Sequence, residues 1–160
     1  MSANELSASL WRERELLDLL VFKLEEEQFI LSSGKTRWLQ FATREVEQVM
    51  ERLRAAGLAR TVEASIVATE WGAADDVTLR ELVALAPSGP WADIFTAHLT
   101  AMTELTNEIR ELRDLNEHYL RTAIRFVQES QSDGSPDGTY TAKGDTGAAG
   151  GSAQIFDVTL

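Results

Sequence analysis

The stretch HLTAMTELTNEIRELRDLNEHYLRTAIRF, residues 98–126, decides the fold. Within it His98, Met102, Leu105, Ile109, Leu112, Asn116, Tyr119, Ala123 and Phe126 recur at alternating spacings of four and three. That alternation keeps one side of a helix apolar over many turns. Leu39, Ala42, Val46, Val49, Leu53 and Ala56 repeat the pattern earlier in the chain. A helix with only a seam to bury needs a partner helix rather than a sheet. The expected fold is all-α: an elongated antiparallel three-helix, coiled-coil-like bundle.

Working outward, a first helix is expected from Asn4, a plausible N-cap, to about Ser32. Its apolar face is broad: Leu6, Leu10, Leu17, Leu20, Val21, Leu24 and Leu31, widened by Leu16, Phe22, Phe29 and Ile30. Such width suggests contact with two neighbours. Glu13 and Glu27 interrupt it. Ser32-Ser33-Gly34 breaks the helix, and the short break predicts an antiparallel return.

The second helix is expected from Thr36 to Trp71. Gly57 lies inside it and marks either a close crossing or a bend. After Leu53 the stripe drifts to Leu58, Val62 and Ile66, which predicts a bend or register shift. Thr78 and Glu81 have capping-box spacing ahead of a short helix, Leu79–Ala86. Pro90 suits the first position of a third long helix, Trp91–Ser130.

Residues 131–160 hold six of the ten glycines and are expected to form a flexible tail after a 1–130 helical domain. The end of that tail, Ile155-Phe156-Asp157-Val158-Thr159-Leu160, is apolar again and suggests a docking segment, a strand that folds back, or chance.

Composition narrows the function. The formal net charge is −11, which disfavours nucleic acid and anionic lipid as partners. Residues 34–71 carry six basic and five acidic side chains, as expected of a solvated helix face. The chain contains no cysteine, so thiol chemistry and disulfides are excluded. No run has the length and apolarity of a membrane span, and the N-terminus lacks the pattern of a signal peptide. A cytoplasmic protein is expected.

Apparent catalytic motifs fail on context. Ser33-Gly34-Lys35-Thr36 matches the end of a phosphate-binding loop, but Phe29 stands where that loop needs glycine, and a helix precedes it. Asp145-Thr146-Gly147 matches an aspartic-protease triplet in a single copy without a β-rich body. His98 and His118 sit about 200° apart on one helix and lack the Glu-x-x-His spacing of di-iron bundles. No enzyme, cofactor or metal site is expected. Asn116, on the seam, either fixes register or marks where the helix turns to another molecule. Trp38, Trp71 and Trp91 lie at helix ends and are expected to plug the core, whereas Trp11 is the tryptophan best suited to a partner.

The runs Leu10-Trp11-Arg12-Glu13-Arg14-Glu15-Leu16-Leu17, Phe22-Lys23-Leu24-Glu25-Glu26-Glu27-Gln28, Arg37-Trp38-Leu39 and Ala42-Thr43-Arg44-Glu45-Val46-Glu47 resemble the actinobacterial branch of the FlgN-type flagellar export chaperones. The resemblance covers about residues 1–130 and rests on a heptad-and-charge pattern. It implies a cytoplasmic helical chaperone that binds hook–filament junction proteins before flagellar type III secretion, with export-apparatus components as further partners. The family's client contact, carried over, falls on Tyr119, Leu120, Ile124, Phe126 and Val127, and on the terminal Ile155, Phe156, Val158 and Leu160. Without the resemblance, the same heptads also suit a generic helical adaptor or structural coiled-coil protein.

Overall fold

The computed structural model describes residues 2–74 and 76–133. Four α-helices follow one another: α1 (Ser2–Ser33), α2 (Leu39–Glu70), the short α3 (Leu79–Ala84) and α4 (Trp91–Asp133). A 3-10 turn, Thr36–Trp38, leads into α2. No strand occurs among the described residues. The chain divides into two units, Met1–Arg125 and Phe126–Leu160, so the bundle below belongs to the first.

Cross-helix bonds fix the directions. Glu13 pairs with Arg60, Lys23 with Glu45, and Glu27 with Thr43, so numbers rise along α1 as they fall along α2. These two helices are antiparallel. His98 meets Ser7 while Asn116 meets Leu24, so α4 runs parallel to α1. Gly34 makes the first reversal possible with φ of 70°, a left-handed conformation that suits glycine. That geometry is a helix cap, which disposes of the phosphate-loop reading of Ser33–Thr36.

The core has two apolar clusters. At one end Leu6 and Leu10 of α1, Val67 and Ala68 of α2, Leu79 and Leu82 of α3, and Phe95 of α4 close together. Farther along, Leu20 and Leu24 meet Val46, Val49 and Ile109. A polar layer separates them. Arg60 Nε donates to Glu13 Oε2 at 2.6 Å, and His98 bonds Ser7 at 3.2 Å. Glu13, which interrupts the first-helix stripe, is therefore matched by a cation on α2.

That pairing corrects the reading of α2. The seam does not move to Leu58, Val62 and Ile66, which are exposed. It runs through Arg60 to Ala64, Val67 and Ala68; three-four alternation from Ala56 and Arg60 leads to position 63, so the burial of Ala64 is a one-residue register shift. Arg60, a polar residue on this stripe, has its partner on α1. The helix runs unbroken through Gly57, where an added Cβ would meet only a Glu13 carboxylate oxygen at 3.9 Å. Gly57 is thus not required by a close crossing.

Other boundaries shift slightly. Asn4 lies inside α1 rather than capping it. The expected start of the second helix is the 3-10 turn, and α4 reaches Asp133. Thr78 and Glu81 form the full capping box: Thr78 N–H donates to Glu81 Oε2 at 2.8 Å, and Glu81 N–H to Thr78 Oγ1 at 3.3 Å. The Thr78 backbone N–H first, and then the Thr78 hydroxyl, which donates to Glu81 Oε2 at 2.7 Å, hold the Glu81 carboxyl below its ordinary range. Trp71 and Trp91 pack on Phe95, as expected of end plugs. Trp38 does not plug the core. It stays exposed, stacked with Arg37 and Phe41, because the 3-10 turn places it outside the seam.

Candidate docking surface

On α4 the seam is buried at His98, Ile109 and Asn116. Past Asn116 the large apolar side chains emerge: Tyr119 is 38% exposed, Leu120 40% and Ile124 49%. Phe126 and Val127, in the second unit, are also exposed. Ile155, Phe156, Val158 and Leu160 lie outside the described residues, as does Asp145-Thr146-Gly147. Five of the nine residues assigned to client contact are thus placed, all on α4.

The change at Asn116 has a physical basis. Its side chain is only 3% exposed, and Nδ2 donates to the backbone carbonyl of Leu24 at 2.9 Å and to Glu27 Oε1 at 3.3 Å. Glu27 in turn accepts from Thr43 of α2 at 3.2 Å. One acid, which seemed only to interrupt the first-helix stripe, thereby ties α1 to both neighbours. Asn116 is a register residue, the first of the two roles its seam position suggested.

Beside this junction α2 and α4 stand apart, and an open cleft of about 580 Å³ lies between them. Leu39, Thr43, Val46 and Met50 form its α2 wall. Ile109, Arg110, Arg113, Glu117 and Leu120 form the α4 wall, and Leu24, Glu27 and Leu31 of α1 the floor. The sequence showed heptads on both walls but gave no sign of the cleft.

At the other end, His98 is 2% exposed. Arg14 Nη1 approaches His98 Nδ1 at 3.4 Å, which makes Nδ1 the acceptor and leaves Nε2–H to donate to Ser7. Burial first, and then the Arg14 charge, hold the imidazole below its ordinary pKa. This is a satisfied core histidine. Trp11 meets it edge-on at 5.2 Å between ring centroids, with Arg14 over the indole at 4.3 Å, and remains half exposed. His118 is exposed. Among the described residues no group of three or more His, Cys, Asp or Glu is placed to hold a metal, and no helix is long and apolar enough to cross a membrane.

Long helices side by side, an open cleft and exposed aliphatic side chains on α4 define an all-helical bundle among the described residues. The sequence matches the family model described as FlgN protein over residues 1–147, and the chain belongs to the FlgN family, a family of flagellar export chaperones. Neither a curated protein nor a solved structure matches it.

Proposed function

We propose that this chain is a cytoplasmic chaperone that binds hook–filament junction proteins before their export through the flagellar type III apparatus. It acts by binding and carries out no catalysis. The client engages the distal part of α4 through Tyr119, Leu120 and Ile124, and the family resemblance extends that contact to Phe126 and Val127.

The observation that carries this reading is the change along α4 from a buried seam to exposed apolar side chains beyond Asn116. Exposed apolar surface of this kind on a folded protein marks a partner site. An export substrate with amphipathic terminal segments needs its apolar faces covered before secretion, and helix-against-helix docking supplies that cover.

The test is co-expression of the Tyr119→Asp, Ile124→Asp double variant with a hook–filament junction protein. Client co-purification should be lost while far-UV circular dichroism and thermal melting stay near wild type. Full-strength binding by the folded variant would place the client elsewhere.

A further inference from the structure

We infer that the outer face of α2 is a self-association surface, and that its occupant is a second copy of this chain, packed antiparallel about a two-fold axis close to Val62. None of its residues lies on α4, so the pair forms apart from Tyr119 and Ile124.

α2 carries two seams, and α1 covers one of them. Arg60, Ala64 and Val67 turn inward. On the opposite side Ala55, Leu58, Val62, Ser65 and Thr69 follow one another at spacings of three and four, the pattern of a helix-pairing seam. Leu58 is 72% exposed and Val62 60%, more than Tyr119, Leu120 or Ile124, and Ile66 beside them is exposed as well. Apolar surface left open in this way marks an interaction site.

Shape selects a second copy. Leu58, Val62 and Ile66 form a ridge at four-residue spacing, with the small Ala55 and Ala59 on one flank and Ser65 and Thr69 on the other. A face that offers both ridge and groove matches itself, as an isologous interface requires. Antiparallel pairing sets the Leu58 end of one stripe against the Ile66 end of the other, so the wide side chains meet small ones on either flank. The face spans about 21 Å of helix, less than a standard-size interface, so the pair exchanges with monomer at micromolar concentration.

Charge selects the same occupant. No charged residue falls on this face between Ala55 and Thr69, since Arg60 pairs with Glu13 and Glu63 buries its Oε2. Glu51, just beyond, is paired with Arg54. The exposed Trp11, Phe22 and Phe29 of α1 make a contrast: Glu15, Asp18 and Glu25 stand among them, and two copies would repel there. On α2, Arg52 and Glu70 lie on one edge of the stripe, at opposite ends of it, each about 80° from Val62. Arg52 makes no ion pair among the described residues, and Glu70 accepts from the Ser2 hydroxyl. The two-fold axis brings Arg52 of each copy beside Glu70 of the other, within about 3 Å along the helix. The contact is made twice, and its signs are complementary.

The experiment is sedimentation velocity of the full chain at moderate salt, from about 1 to 200 μM, the range in which a small interface dissociates. The mean mass should rise from monomer toward dimer. Val62→Asp sets two carboxylates together near the axis and should raise the dissociation constant by more than about tenfold. Its far-UV circular dichroism should match wild type, because Val62 is exposed. Arg52→Glu and Glu70→Arg should each weaken self-association by about threefold to tenfold. An equal mixture of those two variants should regain it, since opposite charges meet at both contacts of the mixed pair while both chains stay acidic overall. Tyr119→Asp with Ile124→Asp should leave the dimer intact, so this result is read separately from the client assay. A monomer at every concentration overturns the inference and leaves the stripe to a different partner. So does a dimer that survives Val62→Asp, or a mixture that associates no better than either variant alone.

Discussion

Asn116 on α4 donates from Nδ2 to the backbone carbonyl of Leu24 on α1 at 2.9 Å, and this bond sets the height of one helix against the other. Its Oδ1 is buried without a partner. Asn116 therefore contributes register at a cost in stability, because an unpaired buried acceptor loses its hydration. Asn116→Leu should leave stability unchanged or raise it by up to about 1 kcal/mol. Asn116→Asp should lower it by about 3 kcal/mol at neutral pH, since a carboxylate there faces the Leu24 carbonyl and Glu27 with no donor to offer. Urea unfolding of both variants checks the pair of signs.

The Glu13–Arg60 pair makes a second prediction. The side chains are 11% and 30% exposed, so the pair is largely removed from water. Truncating Arg60 to alanine leaves Glu13 without its cation, with an expected cost of about 2–3 kcal/mol. Replacing both residues with leucine should cost much less than the two single changes together. A double-mutant cycle from denaturant melts measures the difference. Additive costs would mean that the polar layer does not couple α1 to α2.

His98 makes stability depend on pH. Its folded-state pKa lies below the ordinary value of 6.5, through burial and then the Arg14 charge. As pH falls below that ordinary value, the unfolded chain takes up the proton first. The stability contributed by the neutral, bonded imidazole is full above pH 6.5 and is lost as pH falls toward the folded pKa. His98→Gln keeps a donor and an acceptor without the titration. The drop in urea midpoint between about pH 7.5 and pH 5.5 should therefore be smaller in the variant than in the wild type.

Gly57→Ala should stabilise the protein by about 0.5–1 kcal/mol, because alanine is the better helix former and the new methyl makes only ordinary contact with Glu13. A thermal midpoint below wild type would show that α2 needs glycine there for a reason the helix geometry does not contain.

The sequence by itself determined that this chain makes long helices and where they begin and end to within a few residues. Heptad spacing, the Gly34 break, the Thr78–Glu81 capping box and Pro90 are local signals, governed by dihedral preference and by bonds between near neighbours. The family pattern was equally legible, because it resides in the same heptads and charges. The tertiary structure alone decided the role of the polar residues on those seams. Glu13 and Glu27 looked like interruptions until Arg60, Asn116 and Thr43 were brought beside them from 16 to 89 residues away. For the same reason Leu58, Val62 and Ile66 looked like core: apolar periodicity shows that a face exists, but only a partner's position shows whether it is covered. The cleft between α2 and α4 was illegible on the same ground, since the space between two helices is a property of their separation and neither sequence encodes it alone.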